Sequence, residues 1–220
     1  MPTRQRILIT SGPTREYLDP VRFLTNGSSG RMGAALAETV LERGELPVIV
    51  SGPVALVYPD GAEIHYVETT EQMFECCLQL FPDCNGIIGA AAPCDFRPEY
   101  FSEQKLTKSE ENNSIVFRFV ATPDILATLG QIKQQNQWII GFALETKNGR
   151  DHALRKLKRK NCDFIVLNSP KSIDNETASF QIFNASGELC ADLNCSKKTL
   201  AKEIFTLIDK YCIVTTKEMS

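Results

Sequence analysis

Apolar positions along this chain follow two rhythms that alternate from one end to the other. RILIT (Arg6–Thr10) is a short unbroken apolar run, as strands buried on both faces require, and GRMGAALAETVLERG after it puts Met32, Leu36, Val40 and Leu41 on one helical stripe before a terminating Gly44. PVIVSG completes a β-α-β unit. AEIHYVETT is the next strand, Thr69 or Thr70 with Glu71 caps the helix EQMFECCLQLF, and NGIIGAAAP is an apolar strand ending in small residues. A third unit runs from SIVFRFV (Ser114–Val120) through PDILATLGQIKQQN to WIIGFAL. The helix RDHALRKLKRKN leads to DFIVLNS, SFQIFNASGELCADL reads as a hairpin around Ser186 and Gly187, and SKKTLAKEIFTLIDKY closes the chain as a helix. Short apolar strands alternating with amphipathic helices predict an α/β fold: a Rossmann-like, doubly wound, mainly parallel sheet with a late antiparallel hairpin.

Two stretches break the rhythm. Ser11 to Gly30 and Cys94 to Asn113 are long for connectors inside a compact domain, and long irregular connectors carry function more often than their share. Both leave the C-terminal ends of predicted parallel strands, the edge where open α/β sheets bind ligands. The first ends in FLTNGSSGRMG (Phe23–Gly33), which is neither a G-x-G-x-x-G turn directly after a strand nor a G-x-x-x-x-G-K-[ST] loop. Free N–H groups at the helix start, with Ser28, Ser29 and Arg31 beside them, make an anion site; read locally, Ser28 or Ser29 is a helix cap and Gly27 and Gly30 a turn. Asn26 is either an amide donor to a carbonyl or acyl oxygen next to that site or a turn residue before glycine.

Composition narrows the ligand. With 220 residues, 43% hydrophobic and 23% charged, the chain is ordinarily globular, and 24 basic against 27 acidic residues exclude a field that favours nucleic acid or an anionic membrane. A small-molecule ligand is implied. No signal-peptide core and no run of about 18 apolar residues is present, so a cytoplasmic protein is expected. Eight cysteines include no C-x-x-C pair, and His65 and His152 lie far from any cysteine cluster, so reduced and mostly buried thiols are expected rather than zinc or disulfides. Cys94 has no base nearby in sequence and is read as incidental.

A longer pattern now emerges. ITSGPTREYLDPVRFLTNGSSGRMGAALAE, VIVSGPVALVYPDG, IIGAAAPCDFRP, KLTK, TPDIL, GFALET and KLKRKNCDFIVLN stand in the order and at about the spacing that resembles phosphopantothenoylcysteine synthetase, or phosphopantothenate–cysteine ligase, the synthetase domain of the DNA/pantothenate metabolism flavoprotein family. The resemblance covers roughly Arg6 to Asp209 of a single domain spanning 1–220 with a short tail, TTKEMS. Only the synthetase part is matched, so the resemblance implies neither FMN nor decarboxylation. It implies a coenzyme A biosynthetic ligase that joins 4'-phosphopantothenate and L-cysteine through an acyl-nucleotidylate, with Mg²⁺, with CTP ahead of ATP as co-substrate, and as a homodimer with sites near the interface.

Residue by residue, the resemblance puts the acyl-stabilising amide on Asn26 and phosphate contacts on Gly12, Ser28, Ser29, Gly30 and Arg31, the last where lysine is commoner. Asp95 matches the acidic residue beside the base. Lys105 matches the first lysine of a loop whose charge covers the triphosphate. Pro123, Asp124, Ile125, Leu126 and Phe142 match nucleotide-contacting positions, and Lys156 and Lys160 two basic ones. By local rules alone Lys156 and Lys160 are a solvated helix face, Asp95 a turn cap and Phe142 a core residue. Departures fall at Pro93, which has no N–H where the base is read, at Thr107 in KLTK, and at Thr122 where asparagine is usual. Two other classes stay open: an NAD(P)-dependent oxidoreductase, and a non-catalytic nucleotide or pantothenate sensor.

Overall fold

The computed structural model describes residues 4–107, 114–145, 148–168 and 177–212. The tail TTKEMS and the stretch 108–113 of the second long connector lie outside the described residues.

In chain order the elements are β1 (Arg6–Ser11), β2 (Arg15–Asp19), β3 (Arg22–Thr25), α1 (Arg31–Glu42), β4 (Leu46–Ser51), β5 (Glu63–Tyr66), α2 (Thr70–Leu80), β6 (Gly86–Gly89), β7 (Phe96–Pro98) and β8 (Phe119–Ala121). There follow α3 (Ile125–Ile132), β9 (Trp138–Leu144), α4 (Gly149–Arg159), β10 (Phe164–Asn168), β11 (Thr177–Asn184), β12 (Leu189–Ser196) and α5 (Lys197–Tyr211). Eight strands form one sheet in the order β12-β11-β10-β9-β6-β1-β4-β5. The run from β10 to β5 is parallel, and β11 and β12 add antiparallel strands at one edge. Counting only the parallel strands in chain order, this is the 3-2-1-4-5-6 arrangement of doubly wound sheets, with the order reversing between β1 and β6.

The apolar runs form strands because helices cover both faces. Ile7 and Ile9 point to the layer that includes Leu36, Val40, Leu200 and Ile204, from α1 and α5, while Leu8 between them packs with Met73, Leu129 and Leu157, from α2, α3 and α4. These side chains are essentially inaccessible to solvent, and each branched one contributes about 2 kcal/mol through burial. The predicted hairpin is present, with Gly187 at φ 84° in its turn. The α2 cap is Thr69, and its reciprocal partner is Gln72 rather than Glu71.

Two expectations are corrected. SIVFRFV does not enter the main sheet: β6 and β9 pair directly, leaving no slot for it, and only Phe119–Ala121 is a strand, paired antiparallel with β7 in a separate ribbon. The segment 11–30 is not irregular throughout, since β2 and β3 form a hairpin whose turn is closed by Asp19.

Candidate active site

A cavity of about 650 Å³ opens along the C-terminal ends of β1, β6, β9 and β10, with Thr10, Gly89, Phe142 and Asn168 on its wall. This is the crevice beyond the reversal of strand order. One end is formed by the start of α1. Gly30 occupies the N-cap in the left-handed region, φ 74°, and no side chain caps the helix, so Ser28 and Ser29 are not the caps that a local reading suggests. The first-turn N–H groups have no intrahelical partners, and Gly27, Ser28, Ser29, Gly30 and Arg31 line the cavity around them.

The opposite wall is the turn after β6, and a polar framework fixes it. The Ala92 N–H donates to Gly12 O at 2.9 Å, the Cys94 N–H donates to Thr14 Oγ1 at 2.9 Å, and Thr14 shares a 2.8 Å hydroxyl contact with Thr70. Thr122 donates through Oγ1 to Cys94 O at 2.6 Å and through its N–H to Asp95 O at 3.0 Å. Asn26 closes the turn from the cavity side: Nδ2 donates to Ala92 O at 3.1 Å and Pro93 O at 3.0 Å. Pro93 therefore sits in a turn held by its neighbours' donors and by its own carbonyl, so its missing N–H leaves no gap in the framework. Cys94 is buried, with Sγ at 3.6 Å from Thr14 O, and burial pushes its thiol pKa up, which disfavours the nucleophilic thiolate. Across the described residues all eight cysteines are free, four buried and four half-buried.

Cations gather at the α3–α4 side. Lys160 Nζ lies 2.8 Å from Asp124 Oδ1, Arg159 lies 3.3 Å from Asp124 Oδ2, and Lys156 Nζ lies 2.8 Å from Glu145 Oε1. Partial burial raises the carboxyl pKa of Asp124, but the Lys160 bond and charge, the Ala127 N–H and Arg159 outweigh it and leave the pKa lowered. Glu145 behaves likewise, with burial overcome by Lys156 and His152. The lysines are thus neither a freely solvated face nor unengaged cations. Arg31, Lys156, Arg159, Lys160 and Lys197 on the cavity wall outnumber Asp95 and Asp124, so the wall favours an anionic ligand.

Of the sequence-predicted residues, the cavity brings together Asn26, Ser28, Ser29, Gly30, Arg31, Asp95, Pro123, Asp124, Ile125, Leu126, Phe142, Lys156 and Lys160. Gly12 and Lys105 are not on its wall. Gly12, at φ 74°, supports the site from behind: a Cβ there meets Val54 Cγ1 at 2.6 Å, and its carbonyl anchors Ala92. Lys105 is exposed beside Leu106, whose N–H reaches Asp19. Sequence reasoning missed Arg159, although it lies inside the basic run, and it missed Thr14 and Thr70, whose hydroxyls matter only through contacts distant in sequence. Phe142 is half-buried, packed against the core and also part of the wall.

The sheet and its reversal crevice put the chain in the class of Rossmann-like α/β proteins, with a cationic wall at the strand ends. Within that class it belongs to the DNA/pantothenate metabolism flavoprotein C-terminal domain family, whose sequence profile matches residues 3–211. It is 35% identical over 206 residues to the coenzyme A biosynthesis bifunctional protein CoaBC of Vibrio vulnificus (strain CMCP6), covering 92% of this chain and 51% of that one. The chain thus spans about half the length of the curated relatives it matches. The crystal structure of the C-terminal domain of a CoaBC protein superposes with a TM-score of 0.80 at 38% identity, covering 94% of both chains. Cab2, solved in complex with phosphopantothenate-cysteine, shares the fold at 19% identity, with a TM-score of 0.77 over 97% of this chain and 89% of its own.

Proposed function

We propose that this chain is a phosphopantothenate–cysteine ligase of coenzyme A biosynthesis and that the cavity holds its acyl-nucleotidylate. The observation that carries the reading is the meeting, in one crevice, of the uncapped α1 amides, the Asn26 amide and the turn bearing Asp95, in a chain of this family. In the first half-reaction a carboxylate oxygen of 4'-phosphopantothenate bonds to the α-phosphorus of the triphosphate as the bond to the bridging oxygen breaks, and pyrophosphate leaves with that electron pair. In the second, the cysteine amine bonds to the acyl carbon, the nucleoside monophosphate departs and the nitrogen loses its proton.

Both steps build charge beside donors, those of Asn26 being held by the turn until an acyl oxygen displaces a carbonyl. Backbone N–H groups at the start of α1, with Arg31, would take phosphate oxygens, and Asn26 would donate to the acyl oxygen. Mg²⁺ screens triphosphate charge when bound. The ion would be carried in on the triphosphate oxygens, as Mg²⁺ commonly is. Asp95, on the wall at the turn after β6, would contact the nucleotide base. CTP ranks ahead of ATP.

The reading is tested by incubating the protein with Mg²⁺, 4'-phosphopantothenate and CTP or ATP, with and without cysteine, and following pyrophosphate and products by mass spectrometry. Cysteine-dependent phosphopantothenoylcysteine with CMP or AMP is expected. No pyrophosphate with either nucleotide sinks the ligase reading; ligand binding without turnover then favours a sensor, and nicotinamide-dependent turnover an oxidoreductase.

A homodimer is proposed with it. The β2–β3 hairpin, the β7–β8 ribbon and the connector after β7 carry exposed apolar side chains, with Val21, Phe96 and Tyr100 at 57%, 58% and 78% exposure, and Phe101 and Phe119 exposed as well. Exposed apolar side chains of this kind support burial against a second copy. Light scattering after size exclusion is expected to give a dimer, and Phe101→Glu with Phe119→Glu to shift it to monomer; a monomeric wild type counts against this interface. No helix among the described residues is long and apolar enough to cross a membrane.

A further inference from the structure

Asp19 lies outside the cavity, yet its carboxylate is wholly shielded from solvent. Oδ1 accepts the Val21 N–H and the Arg22 N–H, both at 2.8 Å, which closes the β2–β3 turn. Oδ2 accepts from the Arg22 guanidinium and, at 3.0 Å, from the N–H of Leu106, 87 residues away in sequence. A second bond, from the Ser102 N–H to Leu18 O at 3.0 Å, ties the same segment to β2. Lys105 immediately precedes the anchored N–H. It is exposed and has no partner among the described residues, and it is absent from the cavity wall.

A β-turn needs a carboxylate only for the bonds at Oδ1, and an exposed Asp serves that purpose without being buried. Shielding the whole group is costly unless every lone pair is used, and Leu106 supplies one of the donors that complete the set. We infer that Asp19 is a positioning residue for the Lys105 segment: by accepting the Leu106 N–H it holds Lys105 against the β2–β3 hairpin, and Lys105 reaches the cavity only when that bond breaks. That Lys105 enters the cavity, and what it does there, rests on the ligase reading; the bond from Leu106 to Asp19 does not.

Protons do not operate this latch. Burial alone raises the carboxyl pKa of Asp19, but the N–H groups of Val21, Leu106 and Arg22 and the Arg22 guanidinium together hold it at about 2, below the ordinary 3.8. A depressed folded value contributes stability that is fully present above the unfolded pKa and is lost as pH falls through the folded one. The bond is therefore intact throughout the neutral range, and its opening depends on competition for the donors.

Two variants separate the latch from the turn. Asp19→Asn makes one of the two carboxylate oxygens a donor group, and Leu106→Pro removes the N–H, at the cost of the Leu side chain and a fixed φ, while leaving the Asp19 side chain and its turn in place. Losing a bond to a charged acceptor corresponds to about tenfold or more in opening. Glutamate-specific proteolysis after Glu103 is therefore expected to speed up about tenfold in both variants, and hydrogen exchange at Leu106 to do so in Asp19→Asn. Unchanged proteolysis in Leu106→Pro overturns the latch, whatever becomes of Asp19→Asn. In the pyrophosphate assay, released Lys105 is expected to lower the KM for the triphosphate severalfold in Leu106→Pro with kcat moving less, a split that loss of a purely structural bond does not produce. Faster proteolysis with an unmoved KM keeps the latch and removes Lys105 from the triphosphate chemistry.

Discussion

Alanine at position 52 is expected to destabilise the fold by roughly 3 kcal/mol or more and to take the cavity with it. Gly52 follows β4 and passes under the connection between β1 and β2. A Cβ built there falls 1.6 Å from Pro13 O and 2.8 Å from Pro13 C, and 3.6 Å from Thr14 N. The contacts are backbone, so no rotamer change relieves them; either β4 or the 12–14 segment has to move. That segment is held by the Gly52 N–H on Ser11 O at 3.0 Å and by a bridge between Pro13 and Ala92. Displacing it also pulls on Gly12 O and Thr14 Oγ1, the acceptors that fix Ala92 and Cys94. Urea unfolding followed by fluorescence should show the lower midpoint, and nucleotide affinity of any folded fraction should fall as well. A loss below about 0.5 kcal/mol contradicts this account, since it requires the backbone crossing to open without cost.

The parts of the fold legible in the sequence were those in which local pattern and tertiary environment agree. The apolar runs at Ile7–Ile9, Val48–Val50 and Ile139–Ile140 are buried on both faces, so composition alone marks them as central strands. SIVFRFV has the same composition and a different fate, with Ile115, Val116 and Phe119 exposed, because strand membership depends on a vacant edge in the sheet and not on apolarity. The β2–β3 hairpin was hidden for a related reason: its register is pinned by a buried carboxylate, and no periodicity reports that. At the site, contiguous motifs led to the wall residues from Asn26 to Arg31. The threonine framework at Thr14, Thr70 and Thr122 joins three separate segments, and a hydroxyl that bonds across 56 residues has no signature in either neighbourhood. Lys156 and Lys160 were visible as a basic run, whereas their carboxylate partners, Glu145 and Asp124, could be assigned only from the packing of α3 and β9 against α4.

If the chain is the proposed ligase, Asn26→Asp is expected to lower cysteine-dependent product formation by about 10²–10³ while pyrophosphate is still released. The wild-type amide has both hydrogens directed at the turn, towards Ala92 O and Pro93 O. Its donors therefore sit at the edge of the cavity, where an acyl oxygen can replace a carbonyl as acceptor and gain more as its charge grows. An ionised carboxylate of nearly the same size offers only acceptors. It repels those carbonyls mildly and a developing oxyanion strongly, so the penalty falls on the step in which the acyl carbon becomes tetrahedral. Attack on the α-phosphorus places its charge on phosphate oxygens, which the α1 amides and Arg31 would hold, and that step is affected less. Single-turnover quenching should then trap the acyl-nucleotidylate, visible by mass spectrometry. If pyrophosphate release falls in the same proportion as product, Asn26 acts by shaping the Ala92–Pro93 turn for the nucleotide; if neither rate changes by more than about threefold, the amide has no part in the chemistry and the acyl oxygen must find its donors at the start of α1.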